Sequence, residues 1–164
     1  MASPEDNGKA FRNALGRFAT GIAVVTAADR EGPTVGFTVN SFSSVSLTPP
    51  LILFSLDRSS SGFNALANAE AYAVNVLGAE QEDLSNRFAS SREDKWDGVD
   101  WKAGKTGAPL LPQAIAYFEC TPYAQYAGGD HDIFVGEVQA YEADEHAAPL
   151  LYFGGGYHRL RQDG

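Results

Sequence analysis

Cysteine is nearly absent: Cys120 is the only one in 164 residues, and there is a single methionine. One cysteine cannot close an internal disulfide, so a cystine framework is excluded and a reducing compartment is implied. Burial inside a strand is the ordinary fate of such a residue. The three histidines, His131, His146 and His158, lack metal-ligand spacing, and no metal site is expected. Basic residues are also scarce, 12 against 21 acidic for a net charge of −9, which argues against nucleic acid as a partner, because phosphate backbones are held by basic faces. Apolar runs such as Leu51 to Phe54 fall far short of the roughly 20 residues of a membrane span. The start MASPEDNGK has no basic stretch followed by an apolar core, so no signal peptide is read there. A cytoplasmic protein with no membrane partner is expected. Nucleotide fingerprints are missing as well. No G-x-G-x-x-G joins a strand to a helix, and Gly154-Gly155-Gly156 lacks the ending of a P-loop.

What is present fits one globular domain: 44% of the residues are hydrophobic, 12% aromatic and 20% charged. A chain of this length buries roughly two-thirds of its unfolded surface and needs no staple. Residues 1 to 8 read as a loose terminus and residues 9 to 161 as a single domain. From Lys9, the side chains Ala10, Phe11, Ala14, Leu15 and Phe18 form one helical stripe. Ile22 to Val25 is a β-branched run, and Asp29-Arg30-Glu31-Gly32-Pro33 is a turn signal. Val35, Phe37 and Val39 then alternate with polar or small residues as a strand does. The alternation slips phase near Ser41 to Ser44, where a bend or bulge is expected. Leu51 to Leu56 reads as a strand buried on both faces. Ser59-Ser60-Ser61 precedes a short helix carrying Phe63, Leu66 and Ala67 and reads as its cap. A strand over Ala71 to Leu77 and a helix over Glu80 to Ala89 follow. Residues 90 to 112 are a long polar excursion in which Trp96 and Trp101 are expected mainly as packing anchors. Strands over Ala114 to Tyr126, Ile133 to Tyr141 and Leu150 to Phe153 complete the chain, the first two joined at Gly128-Gly129-Asp130. About seven strands with only short helices favour a mainly β, antiparallel, nearly closed barrel over a parallel α/β sheet.

Two segments carry chemistry. Thr38, Asn40, Ser41, Ser43, Ser44 and Ser46 concentrate hydroxyls and an amide where the strand pattern breaks. Such a lining suits a heteroaromatic ring with several carbonyls and ring nitrogens, but a solvated strand edge would look the same. Arg58-Ser59-Ser60-Ser61 before a helix offers a guanidinium, hydroxyls and free N–H groups to an anion, or simply caps the helix.

Taken in order, several motifs resemble the short-chain flavin reductases, the small reductase components of two-component flavin monooxygenases. They are Gly16-Arg17-Phe18-Ala19-Thr20-Gly21, Gly36-Phe37-Thr38-Val39-Asn40-Ser41-Phe42-Ser43-Ser44-Val45-Ser46, Pro49-Pro50, Ala73-Val74-Asn75-Val76-Leu77, Arg87-Phe88-Ala89 and Gly129-Asp130-His131. The resemblance runs from about residue 10 to 160. It implies an FMN-binding split β-barrel of antiparallel, Greek-key type, a homodimer that uses NADH or NADPH to reduce FMN or FAD and passes reduced flavin to a flavin-dependent monooxygenase. By the same resemblance, Thr38, Asn40, Ser41, Ser44, Val45 and Ser46 line the ring, and Leu56, Asp57, Arg58, Ser60, Ser61 and Phe63 hold the ribityl phosphate. Arg87, Phe88 and Ala89 complete the pocket. His131 is carried over as a contact to the nicotinamide nucleotide, with Tyr157 as a second candidate. No catalytic side chain is expected, because hydride transfer needs positioned rings rather than a nucleophile. A barrel flavoprotein reducing another acceptor, such as a ferric chelate or an electron-transfer partner, and a non-catalytic flavin-binding module are the alternatives.

Overall fold

The computed structural model describes residues 8–29 and 32–160. The expected loose terminus up to residue 7, and Arg30 and Glu31 of the expected turn, lie outside the described residues. The helix α1 (Gly8–Leu15) leads into β1 (Thr20–Gly21), β2 (Ala23–Asp29), β3 (Gly32–Val39), β4 (Ser43–Leu47) and β5 (Pro50–Asp57). These are followed by α2 (Phe63–Ala67), β6 (Tyr72–Val76), α3 (Glu82–Ala89), β7 (Lys102–Ala103) and β8 (Pro109–Leu110). The long hairpin β9 (Ala116–Gly128) and β10 (His131–Ala143) precedes β11 (Leu150–Phe153) and β12 (Gly156–Arg159).

Seven strands form one antiparallel sheet in the order β3-β2-β6-β9-β10-β5-β4. Non-sequential neighbours such as β2 with β6 and β5 with β10 interleave the hairpins as Greek-key connections do. The sheet curls until β3 approaches β5, but no ladder joins them. Side chains close that seam instead: the Ser41 hydroxyl accepts from the Ser55 N–H at 2.9 Å and donates to the Ser55 carbonyl at 3.1 Å. The result is a split barrel. Its interior is filled by alternate residues of β2, β3, β5, β6, β9 and β10, among them Val25, Phe37, Phe54, Val74, Cys120 and Phe134. Burial pushes the Cys120 thiol up to about 12, so it has the character of an inert core residue. A second cluster, with Ile22, Val24, Leu77, Phe88 and Leu150, packs α3 and the small sheet β1-β11-β12 against the outside of β2.

This architecture extends two of the expectations and corrects two, the burial of β5 and the cap of α2. The apolar stripe of α1 is not buried: Phe11, Leu15 and, just beyond the helix, Phe18 are 48%, 60% and 78% exposed. From Ile52 onward, β5 buries alternate residues rather than both faces, with Leu53, Ser55 and Asp57 half-buried between Ile52, Phe54 and Leu56. The serines do not cap α2; its N-cap is Gly62, whose φ of 87° lies in the left-handed region and which makes no side-chain cap bond. The polar excursion also contains its own hairpin, β7 with β8, latched to the barrel by Glu119, whose carboxylate accepts from the Thr106 N–H at 2.7 Å and its hydroxyl at 2.9 Å. Trp96 in the same excursion packs edge-on against Phe88 with ring centroids 5.0 Å apart, whereas Trp101 is exposed.

Candidate functional site

The seam between β3 and β5 opens into a cavity of about 320 Å³ lined by Thr38, Val39, Asn40, Ser41, Ser55, Leu56, Asp57, Ser60 and His131. Three segments meet there because of the topology. β3 runs out at Val39 and hands the chain to Asn40 and Ser41; β5 delivers Ser55 to Asp57; and β10, paired with β5, sets His131 directly opposite Asp57. Apolar Val39 and Leu56 sit among hydroxyls, an amide, a carboxylate and an imidazole.

Several of these groups are held in place by partners outside the cavity. The Thr38 hydroxyl donates to the Ser85 carbonyl of α3 at 2.6 Å, and Ser41 is fixed by Ser55, so both oxygens keep an unused lone pair. Asp57 accepts from the Ser59 N–H at 2.7 Å. That bond, helped by the Ser59 hydroxyl and the nearby His131, holds its carboxyl below the usual carboxylate range. His131 Nδ1 lies 2.7 Å from Asp130 Oδ1. A carboxylate can only accept, so Nδ1 carries the proton and Nε2 is left for a ligand. Beneath the histidine, Arg58 Nε donates to Asp132 Oδ1 at 2.6 Å and Nη1 to the Gly129 carbonyl at 3.2 Å, while Gln125 donates to the other Asp132 oxygen. This clamp ties the turn of the β9-β10 hairpin to the Asp57–Ser60 loop.

Of the residues expected at the site, Thr38, Asn40, Ser41, Leu56, Asp57, Ser60 and His131 are thus brought together. Others lie elsewhere. Ser44 and Val45 are exposed on the edge strand β4, which bulges between Ser44 and Ser46, and the Ser46 hydroxyl accepts from the Thr48 N–H. Arg58 is occupied by Asp132 and is not a free cation for a phosphate. Phe63 packs into the barrel against Phe134. Ser61 lines a different, smaller cavity. Phe88 is 1% exposed, its ring filling the space that a Cβ on Gly36 would need, and so it is core rather than cavity wall. Arg87 donates to the Asp97 carbonyl at 2.8 Å and borders a separate cavity of about 550 Å³ with Glu80, Asp83 and Asp100; Ala89 is exposed at the end of α3. Tyr157 is docked on α3, its hydroxyl 2.9 Å from Ser85 Oγ and donating to Asn86 Oδ1 at 3.1 Å. It thereby braces the helix that receives the Thr38 bond. Ser55, Asp132 and Gln125 were missed by sequence reading; only Ser55, a hydroxyl inside an apolar strand, carried a local signal.

The cavity suits a flat heteroaromatic ring. It combines an apolar floor with donors and acceptors around its edge, and it has no nucleophile set up by a neighbouring base. Among the described residues no group of three His, Cys, Asp or Glu side chains could hold a metal, and no helix is long and apolar enough to cross a membrane.

Comparison with known proteins agrees with that chemistry. Residues 15–161 match the family model described as a flavin reductase like domain. The chain belongs to the flavin reductase-like family. Within it, the chain is similar to the FMN reductase (NADH) SmoA of Agrobacterium fabrum, 46% identical over 94% of this chain and 87% of that protein. A probable flavin reductase of Rhizobium meliloti is 44% identical over 95% of this chain but only 50% of its own length, so the chain spans about half of that relative. The HsaB reductase subunit of a flavin-dependent monooxygenase from Mycobacterium tuberculosis is 38% identical over 91% of this chain and 80% of HsaB. Among solved structures, the Streptomyces globisporus NADH:FAD oxidoreductase SgcE6, in complex with NAD and FAD fragments, superposes with a TM-score of 0.93 at 38% identity, covering 100% of this chain and 98% of that one.

Proposed function

We propose that this flavin reductase-like chain reduces FMN or FAD with NADH and releases the reduced flavin to a separate monooxygenase. The observation that carries the reading is the cavity at the β3-β5 seam, where the ring-lining segment, the Asp57–Ser60 loop and His131 face one another. The names borne by SmoA, HsaB and SgcE6 support the donor, the acceptor and the destination of the product.

When both nucleotides are bound, the nicotinamide supplies a hydride to the flavin ring. The chain's own part is to position and to exclude water. Thr38, Asn40 and Ser41 hold the polar edge of the ring, with Thr38 kept in place by the Ser85 carbonyl and Ser41 by Ser55. Val39 and Leu56 provide the apolar surface. His131, with Nδ1 turned to Asp130, offers Nε2 to the nicotinamide nucleotide, and the Arg58–Asp132–Gln125 clamp keeps that turn at the mouth of the cavity. Tyr157 acts through Ser85 on the same wall. Residues 9 to 161 form one split-barrel domain in this reading, and the protein is cytoplasmic and homodimeric. The dimer is supported by α1, which presents Phe11 and Leu15, with Phe18 next to it, as an apolar face without cover in the described chain. Its mass in solution is then twice the 17.5 kDa of the chain.

The test is NADH oxidation with FMN, FAD and riboflavin added in turn. Turnover dependent on added flavin is expected. Absence of turnover with all three would overturn the proposal, and tight flavin binding without turnover would favour a non-catalytic flavin carrier.

A further inference from the structure

Two hydroxyls of the seam cavity have already committed their hydrogens. Thr38 donates to the Ser85 carbonyl at 2.6 Å, and Ser41 donates to the Ser55 carbonyl at 3.1 Å. A hydroxyl owns a single hydrogen, so each of these oxygens turns only a lone pair to whatever occupies the cavity. Both are held in that orientation. Ser85 is fully buried on α3, and Ser41 also accepts from the Ser55 N–H at 2.9 Å. Asp57, on the same lining, has an ionised carboxylate that likewise accepts and cannot donate. Asn40 and Ser60 can present either a donor or an acceptor and impose no preference. Among the described residues, this lining includes no lysine or arginine.

A flavin changes its hydrogen-bonding character when it is reduced. The oxidised ring has one N–H, at N3, while N1, N5 and two carbonyl oxygens accept. On reduction the hydride given up by the nicotinamide becomes the hydrogen on N5, and one proton from water completes the neutral dihydro ring, with N–H groups at N1, N3 and N5. An acceptor facing another acceptor leaves both unpaired, which is costly in a cavity, whereas an acceptor facing an N–H makes a bond. Backbone N–H groups that meet the ring carbonyls serve both redox states alike.

We propose that Thr38 and Ser41, limited to accepting, set a preference of the site for reduced over oxidised flavin and so draw the hydride transfer toward product. This rests on the reductase reading above and deepens it, because the two side chains then determine which redox state is held as well as where the ring lies. With no lysine or arginine beside them, the preference comes from ring N–H donors and not from attraction to an anionic ring.

The experiment measures anaerobic dissociation constants of FMN, oxidised and dithionite-reduced, for the wild type and for Thr38→Val, which keeps the shape of the side chain and removes its oxygen. The wild type is expected to bind the reduced form about tenfold more tightly, which sets the two-electron midpoint of bound FMN about 30 mV above that of free FMN. In Thr38→Val the constant for reduced FMN rises about threefold to tenfold, the range of one neutral hydrogen bond, while that for oxidised FMN stays within about twofold. Thr38→Ser restores the wild-type ratio. Should Thr38→Val lose its fold with the Ser85 contact, the wild type alone decides: equal constants, or tighter binding of the oxidised form, overturn the proposal. So does a loss in Thr38→Val that falls on oxidised FMN, because the hydroxyl would then be donating to the ring. The reductase reading fails separately, through absence of NADH oxidation with every flavin; the redox preference is read with dithionite in place of NADH and would survive that failure.

Discussion

Two polar regions lie on strands of the same sheet and are built in opposite ways. On β2 and β6, Thr26 and Asn75 are fully buried and bonded only to other groups of the interior. The Asn75 amide donates to the Val24 carbonyl and to the Thr26 hydroxyl, both at 3.0 Å, and its oxygen accepts from the Leu111 N–H at 2.9 Å; the Thr26 hydroxyl donates to the Pro109 carbonyl. At the β3-β5 seam, Thr38 and His131 each have one partner and Ser41 has two, both from Ser55, and all three line an open cavity where a lone pair or a ring nitrogen is left for a ligand. The contrast teaches how to separate architecture from binding in a polar strand. A polar group sealed in the interior with its partners is a staple, and one held by partners while its free side faces a cavity is an instrument.

The sharpest way to break this comparison is Asn75→Leu. It strips the Leu111 N–H of its partner in a dry interior, and a loss of about 3 kcal/mol in denaturant unfolding is expected, with the KM values of the folded fraction unchanged. A stability loss below about 1 kcal/mol would show that the network is not a staple. The converse variant is His131→Ala. Here the KM for NADH should rise by about tenfold, while stability stays within about 0.5 kcal/mol because the imidazole is partly exposed and its partner Asp130 is open to water. A raised flavin constant with unchanged KM for NADH would move His131 to the other ligand. Smallest is the effect at Asp132, which belongs to both classes. Gln125, and after it Arg58, hold its carboxyl below the usual range against the pull of burial. A depressed folded-state pKa stabilises the protein above the ordinary carboxylate value near pH 4, and that stabilisation is lost as pH falls through the lower folded value. The unfolding midpoints of the wild type and Asp132→Asn should therefore differ at neutral pH and converge in acid; a constant gap would mean the carboxylate contributes no charge.

Legibility from sequence followed the range of the interactions. Strands that alternate or carry β-branched runs, such as β3 and β11, were readable because their periodicity is local. β12 was not, since Gly156-Tyr157-His158-Arg159 has no alternation and is a strand only because Leu150 to Phe153 lies opposite. The serines before α2 have the composition of a cap, yet the left-handed Gly62 next to them took the position. At the site, the polar residues of Thr38 to Ser41 were legible as a concentration of hydroxyls, whereas Ser44 to Ser46 share that composition and face another way once β4 bulges. The withdrawal of Arg58 had no local sign, because Asp132 is 74 residues further along the chain. The resemblance implies a pocket role for Phe88, and what makes it core is Gly36 on a different element, which leaves room for its ring.

That last pair sets a limit on how this molecule can drift. A Cβ at Gly36 would stand 2.3 Å from the Phe88 ring, which is 1% exposed and packed on its other side against Trp96. The ring and the missing side chain work as key and notch: either can change only if the other changes with it. Since α3 also carries the Ser85 carbonyl that holds Thr38, a lineage that altered one member alone would tilt the cavity wall before it touched any residue that meets a ligand.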